Sequence, residues 1–184
     1  MQEPKVLILP GWQGSGPLHW QMRWVALHGD VVVAQHDWMR PLRGDWLSRL
    51  DDVLSDLDGP VYLVAHSLGC IQVAAWAVVS AQTHKVKGAL LVAPGDVAAT
   101  HLQDLFSSWR PVEMKKLPFK SILVGSQNDP YCTADRAQAF AKAWGSDYLD
   151  LGFKGHVNAE SNLGDWPDGR ALLNSLMKEK EDGH

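Results

Sequence analysis

Short, continuously apolar runs recur along the chain, separated by segments of helical spacing. Val6–Leu9, Val31–Ala34, Val61–Ala65, Ala89–Ala93, Ile122–Gly125 and the weaker Tyr148–Leu151 are each four or five residues long. Runs that are apolar at every position belong to strands buried on both faces, as in a parallel sheet. Between them, His19–Leu27 sets Trp20, Trp24 and Leu27 on one helical face. Asp45–Leu57 aligns Trp46, Leu50, Val53, Leu54 and Leu57, with Asp45 as the expected N-cap. Leu68–Val79 is apolar nearly all round and predicts a buried helix. Ala134–Trp144 is amphipathic, and Arg170–Lys180 ends in lysines that suit the helix dipole. Strands alternating with helices predict βαβ units with right-handed crossovers. The expectation is an α/β fold: a three-layer α/β/α sandwich around a mostly parallel six-stranded sheet, in one domain spanning residues 1–184. Two stretches fall outside the pattern. One is Gly95–Lys120, with a weak helical patch at His101–Trp109, and the other is the Gly-, Asn- and Asp-rich Gly155–Gly169.

Composition narrows the function classes. With 184 residues, 46% of them hydrophobic, the chain can bury a full core without metal or disulfides. The net charge of -4 leaves no basic excess to hold a phosphate backbone, so no nucleic-acid partner is expected. Cys70 and Cys132 are too few for a disulfide framework or a four-cysteine zinc site. The start lacks the features of a signal peptide, and no run reaches the ~18 apolar residues of a membrane span. A cytoplasmic protein with reduced thiols and no membrane contact is expected. His19, His28, His36, His84 and His101 fall on separate elements without metal-ligand spacing, so no metal is expected. Gly11 to Gly16 reads G-x-x-G-x-G, which is neither a dinucleotide fingerprint nor a P-loop, and no cofactor is expected.

In a sheet of this kind functional groups collect at the carboxyl ends of the strands. The third strand runs through Ala65-His66-Ser67-Leu68-Gly69 directly into a helix. That is a G-x-S-x-G nucleophile elbow with Ala at its first position, although a serine there could also simply cap the helix. The fifth strand leads to Asp129, which an Asx-turn before Pro130 would equally explain. The sixth leads to His156, a potential general base that alone would be an ordinary loop histidine. The order Ser67, Asp129, His156, each at the end of the appropriate strand, is that of α/β-hydrolases and makes these three the candidate catalytic residues. Backbone N–H groups of Leu68 and Trp12 are the candidate oxyanion donors, with Gly11 letting the first loop approach the substrate. His66 packs behind the elbow or lines the cleft. Of the nine tryptophans, Trp24, Trp46, Trp76 and Trp144 read as core, whereas Trp12, Trp38, Trp109 and Trp166 could line a substrate pocket. Gly11, His66 and Trp166 are the candidate substrate-binding residues.

Assembled, these residues resemble an α/β-hydrolase-fold serine hydrolase, and more narrowly the retinoblastoma-binding-protein-nine/YdeN-like family. The resemblance runs over almost the whole chain. It is carried by Pro10-Gly11-Trp12, His19-Trp20, Ala65-His66-Ser67-Leu68-Gly69-Cys70, Ser126-Gln127-Asn128-Asp129-Pro130-Tyr131 and Gly155-His156-Val157-Asn158 through Trp166-Pro167. It implies a minimal hydrolase core without the first two strands of the full fold and without a cap domain, and the stretch 95–120 is too short for a large lid. Ala65 departs from the general elbow rule but suits the narrower family, and Pro10-Gly11 stands where larger hydrolases have His-Gly. The reaction implied is hydrolysis of small acyl esters or accessible amides through an acyl-enzyme. Two rivals share the scaffold. One is a non-catalytic module that binds a protein partner, and the other is a carbon–carbon lyase keeping the same three groups.

Overall fold

A computed structural model describes residues 3–99, 101 and 103–178. All six expected strands form: β1 (Lys5–Leu9), β2 (Val31–Val32), β3 (Val61–His66), β4 (Val86–Val92), β5 (Lys120–Gly125) and β6 (Asp147–Asp150). They make one sheet of order β2-β1-β3-β4-β5-β6 in which every pairing is parallel. The order reverses direction at β1/β3, so β1 and β3 deliver their C-terminal loops side by side.

Alternate residues of the central strands feed two cores. Leu7, Leu9, Leu63, Ala65, Leu91 and Leu123 pack under α2 (Arg43–Ser55), α3 (Leu68–Val79) and α4 (Ala134–Trp144). Ile8, Val64, Leu90 and Val124 pack under α1 (Trp20–His28) and α5 (Pro167–Lys178). The middle residues of the central strands are apolar because both faces are covered, which gives the three-layer sandwich. Leu68 to Trp76 is buried at every position, as its all-round apolar pattern requires.

Several boundaries differ from expectation. β2 closes after two residues, and β4 begins at Val86, because edge and entry positions need not be apolar on both faces. Asp45 does not cap α2. The cap is Leu42, and Asp45 lies in the first turn, where its carboxylate still meets the positive end of the dipole. α5 begins at Pro167, three residues early, because proline suits the first position of a helix. Its expected end at Lys180 lies outside the described residues. The patch at 101–109 is not an α-helix: its described residues are in turns or 3-10 conformation, the latter including Ser107–Trp109. No cap domain is present among the described residues, and none of their helices is long and apolar enough to cross a membrane.

Candidate active site

The β3–α3 turn has the geometry its sequence demands. Ser67 adopts φ 55°, ψ -120°, outside the range that L-residues favour, and its side chain makes no cap hydrogen bond to α3. The hydroxyl is therefore turned out of the capping position. A Cβ on Gly69 would sit 2.3 Å from the Leu9 carbonyl oxygen, so only glycine lets α3 pass this close to β1. A Cβ on Gly11 would lie 2.9 Å from Ser67 Cβ and 3.2 Å from Leu68 N, so glycine also keeps the first loop open above the serine.

Two loops bring the remaining groups to Ser67. Asp129 follows β5 and accepts the Tyr131 N–H at 2.9 Å, so the Asx-turn does form. His156 follows β6, with its Nδ1 2.9 Å from each Asp129 carboxylate oxygen and its Nε2 2.8 Å from Ser67 Oγ. An ionised carboxylate only accepts, so Nδ1 carries the proton and Nε2 presents its lone pair to the hydroxyl. The His156 and Asp129 side chains are only 9% and 2% exposed, which shields the contact from water.

The sequence between these residues fixes the two loops to each other. Asn128 Oδ1 accepts the Gly155 N–H at 2.8 Å, Ser126 Oγ accepts the Lys154 N–H at 3.0 Å, and Gln127 N–H donates to Gly152 O at 2.8 Å. On the far side, Trp20 Nε1–H donates to Val157 O at 2.8 Å and Trp24 Nε1–H to Asp165 O at 2.7 Å. Val157 is fully buried at φ 50°, a strained position for a β-branched residue. The strain lies directly beside His156 and is held by the packing around it.

A cavity of about 310 Å³ opens over Ser67. Its lining includes Leu68, Val97, Phe106 and Tyr131 together with the polar Gln13, Ser15, His19, Asn158 and Glu160. Gly11, Trp12 and His66 also line it. His66 Nε2–H donates to the His156 carbonyl at 2.8 Å, so this ring also holds the His156 backbone. Burial, with His156 and His19 nearby, pushes its pKa well below the usual imidazole range and keeps it neutral. Leu68 is the first residue of α3, so its N–H has no helical acceptor, and the Trp12 N–H has no acceptor among the described residues. Burial likewise raises the Cys132 thiol to about 12, which leaves it a poor nucleophile.

Trp166 does not join the cavity. Its ring is 4% exposed, 4.9 Å from Trp20 and stacked on Trp24 in the α1/α5 core. Gly169 makes room for it, since a Cβ there would lie 2.3 Å from the indole. Trp38 packs on Trp46 and under Gly14, and Trp109 is buried with its N–H on Pro41 O. A tryptophan in a loop can turn inward as readily as outward, and of the four loop tryptophans only Trp12 reaches the site. Sequence reasoning missed Val97 and Phe106, which lie in the aperiodic stretch after β4. It also missed Tyr131, whose ring lies 4.6 Å from that of His156. Sequence reasoning also missed His19 as a lining residue, although its place just before α1 and beside Trp20 is a signal. No group of side chains among the described residues could hold a metal ion.

The comparisons with known proteins bear on family and fold. A family model described as "Serine hydrolase" matches residues 6–175. No curated protein matches the chain. Among solved structures, a protein described as a YdeN-like hydrolase from Pectobacterium atrosepticum is 27% identical, covering 95% of this chain and 91% of that one, with a TM-score of 0.84. The ydeN gene product of B. subtilis is 18% identical over 95% of this chain and 99% of its own, at 0.75. Est1E from Butyrivibrio proteoclasticus, solved with ferulic acid bound, shares the fold at 14% identity over 96% and 91%, with a TM-score of 0.68. With the family's model spanning nearly the whole sheet and every loop at its carboxyl edge, the chain belongs to the serine hydrolase family, as an α/β-hydrolase-fold enzyme similar to its YdeN-like members.

Proposed function

We propose that the protein hydrolyses small carboxylic esters, or accessible amides, with Ser67 as nucleophile, His156 as general base and acid, and Asp129 as its orienting carboxylate. The observation that carries this reading is the continuous relay from Ser67 Oγ through His156 to Asp129, with contacts of 2.8 and 2.9 Å. Ser67 Oγ attacks the acyl carbon as His156 Nε2 takes its proton. The carbonyl electrons move onto oxygen, which the N–H groups of Leu68 and Trp12 stabilise. Asp129 stabilises the imidazolium that forms. The tetrahedral species then collapses, and the leaving group departs with the proton from His156. Water repeats the sequence on the acyl-enzyme, releasing the acid and restoring Ser67.

The cavity volume supports a small substrate. About 310 Å³ is at the low end for sites that enclose a drug-sized ligand. Its apolar lining residues, Leu68, Val97 and Phe106, suit a short acyl chain. With p-nitrophenyl esters, acetate and butyrate are expected to give the higher kcat/KM, with laurate and palmitate at least about tenfold lower. A clear preference for the long chains would contradict this reading.

A further inference from the structure

His19 is 4% exposed and lines the cavity beside the relay. Its Nδ1 accepts the Gln21 N–H at 3.1 Å, capping α1. That bond requires a lone pair on Nδ1, so in the neutral ring the proton is on Nε2. Burial, together with the neighbouring His156, lowers the pKa to about 4 and keeps the ring neutral. Nε2, on the ring edge opposite the helix, is buried and has no hydrogen-bond partner among the described residues. A buried N–H without an acceptor is costly, and native structures rarely leave one unexplained.

The surroundings indicate which acceptor would fit. His19 lines the same cavity as the polar residues Ser15, Asn158 and Glu160. The last two belong to the loop that carries His156, which delivers a proton to the leaving group in the reaction proposed above. The apolar lining residues Leu68, Val97 and Phe106 come from the segments that follow β3 and β4. The polar lining residues of the His156 loop are thus the ones placed to meet the leaving group. No lysine or arginine lines the cavity among the described residues, and the one ionic lining side chain is Glu160, so a carboxylate there would be repelled. Ser15 Oγ donates to Gln21 Oε1 at 2.8 Å and so can only accept from a ligand. With Glu160 it could receive hydroxyl protons, while His19 Nε2–H would donate to a hydroxyl oxygen.

Resting on the proposed hydrolysis, we propose that His19 Nε2–H is a specificity-determining donor to an oxygen of the leaving alcohol, and that the preferred substrates are esters of neutral, hydroxyl-bearing alcohols.

The test compares glyceryl monobutyrate with n-propyl butyrate, which share the acyl group and the three-carbon alcohol skeleton and differ in two hydroxyls. kcat/KM is measured for both with the wild type, His19→Asn and His19→Gln, after circular dichroism confirms folding. Asparagine can keep the cap on α1 but does not reach the Nε2 position. Glutamine places an amide N–H near that position and gives up the cap. The ratio of glyceryl to propyl ester is expected to fall roughly 3- to 10-fold in His19→Asn and to stay near the wild-type value in His19→Gln. Loss of a purely structural role would lower both esters equally and leave the ratio unchanged, which overturns the proposal. So would a His19 that holds only a bound water, with the same outcome. If His19→Asn does not fold, a wild type that favours the propyl ester overturns it directly. A wild type that turns over both esters with a ratio independent of His19 refutes this inference alone. One that turns over neither and resists fluorophosphonate refutes the hydrolytic reading beneath it.

Discussion

Two glycines flank Ser67, and they protect different things. A methyl on Gly69 would meet the Leu9 carbonyl at 2.3 Å, a backbone atom that cannot move without shifting β1. A methyl on Gly11 would meet Ser67 Cβ at 2.9 Å and crowd Leu68 N at 3.2 Å, at the mouth of the cavity. Gly69→Ala is therefore expected to cost about 2 kcal/mol or more of stability, of the order seen for overpacking. Gly11→Ala should lower kcat/KM by about 100-fold, as for loss of an oxyanion donor, with less change in stability. Urea unfolding and ester kinetics on the two variants separate these effects, and equal losses of stability would contradict the distinction. The need for a small residue at 69 was legible from the elbow motif. The need at 11 depends on how closely two loops distant in sequence approach, which no local pattern encodes.

At the scale of elements, α1 acts as a brace for the loop that bears His156. Trp20 donates to Val157 O, the carbonyl next to His156, and Trp24 donates to Asp165 O further along. Arg23 adds an ion pair with Asp165. Trp20→Phe keeps most of the volume and removes the bond beside the histidine. It is expected to lower kcat by about 10- to 100-fold through misplacement of His156, with KM nearly unchanged. Trp24→Phe, which acts further from the reacting atoms, should lower kcat less. Steady-state kinetics would contradict the brace if Trp24→Phe proved the more damaging. The periodicity made α1 and the two-sided strands legible because burial on one or both faces dictates their composition. It could not show that Trp166 turns into the α1/α5 core, that Asp45 falls inside α2 rather than at its cap, or that residues 103–109 form turns. Each of those depends on tertiary packing or on one cap geometry rather than on a repeating pattern. Ser67, Asp129 and His156 were legible because each ends a strand whose place in the sheet was itself readable.

For the molecule as a whole, a column of three histidine rings runs from α1 towards Ser67. His19 lies 4.7 Å from His66, and His66 lies 4.8 Å from His156, between ring centres. Burial holds the first two neutral, His19 down to about 4 and His66 well below its ordinary value. In the unfolded chain both rings take up protons as the pH falls through about 6.5. The folded chain then binds fewer protons than the unfolded one, so stability declines on acidification and is fully retained only above that value. Between about pH 6.5 and 5, above the range where most carboxylates titrate, each ring contributes a slope of up to about 1.4 kcal/mol per pH unit. Thermal unfolding should show Tm falling from pH 7 to pH 5, with a shallower fall in His19→Asn. A Tm that rose on acidification would contradict buried, neutral His19 and His66 rings.

The proposed function stands on the relay from Ser67 to Asp129, and it requires an activated hydroxyl at Ser67. The most direct measurement is labelling with a fluorophosphonate probe of the wild type, Ser67→Ala and His156→Ala, each confirmed as folded. The account predicts covalent labelling of the wild type at Ser67, none of Ser67→Ala, and labelling of His156→Ala slowed by at least about 10³-fold. A folded wild type that stays unlabelled, or a His156→Ala variant that labels at the wild-type rate, would contradict it.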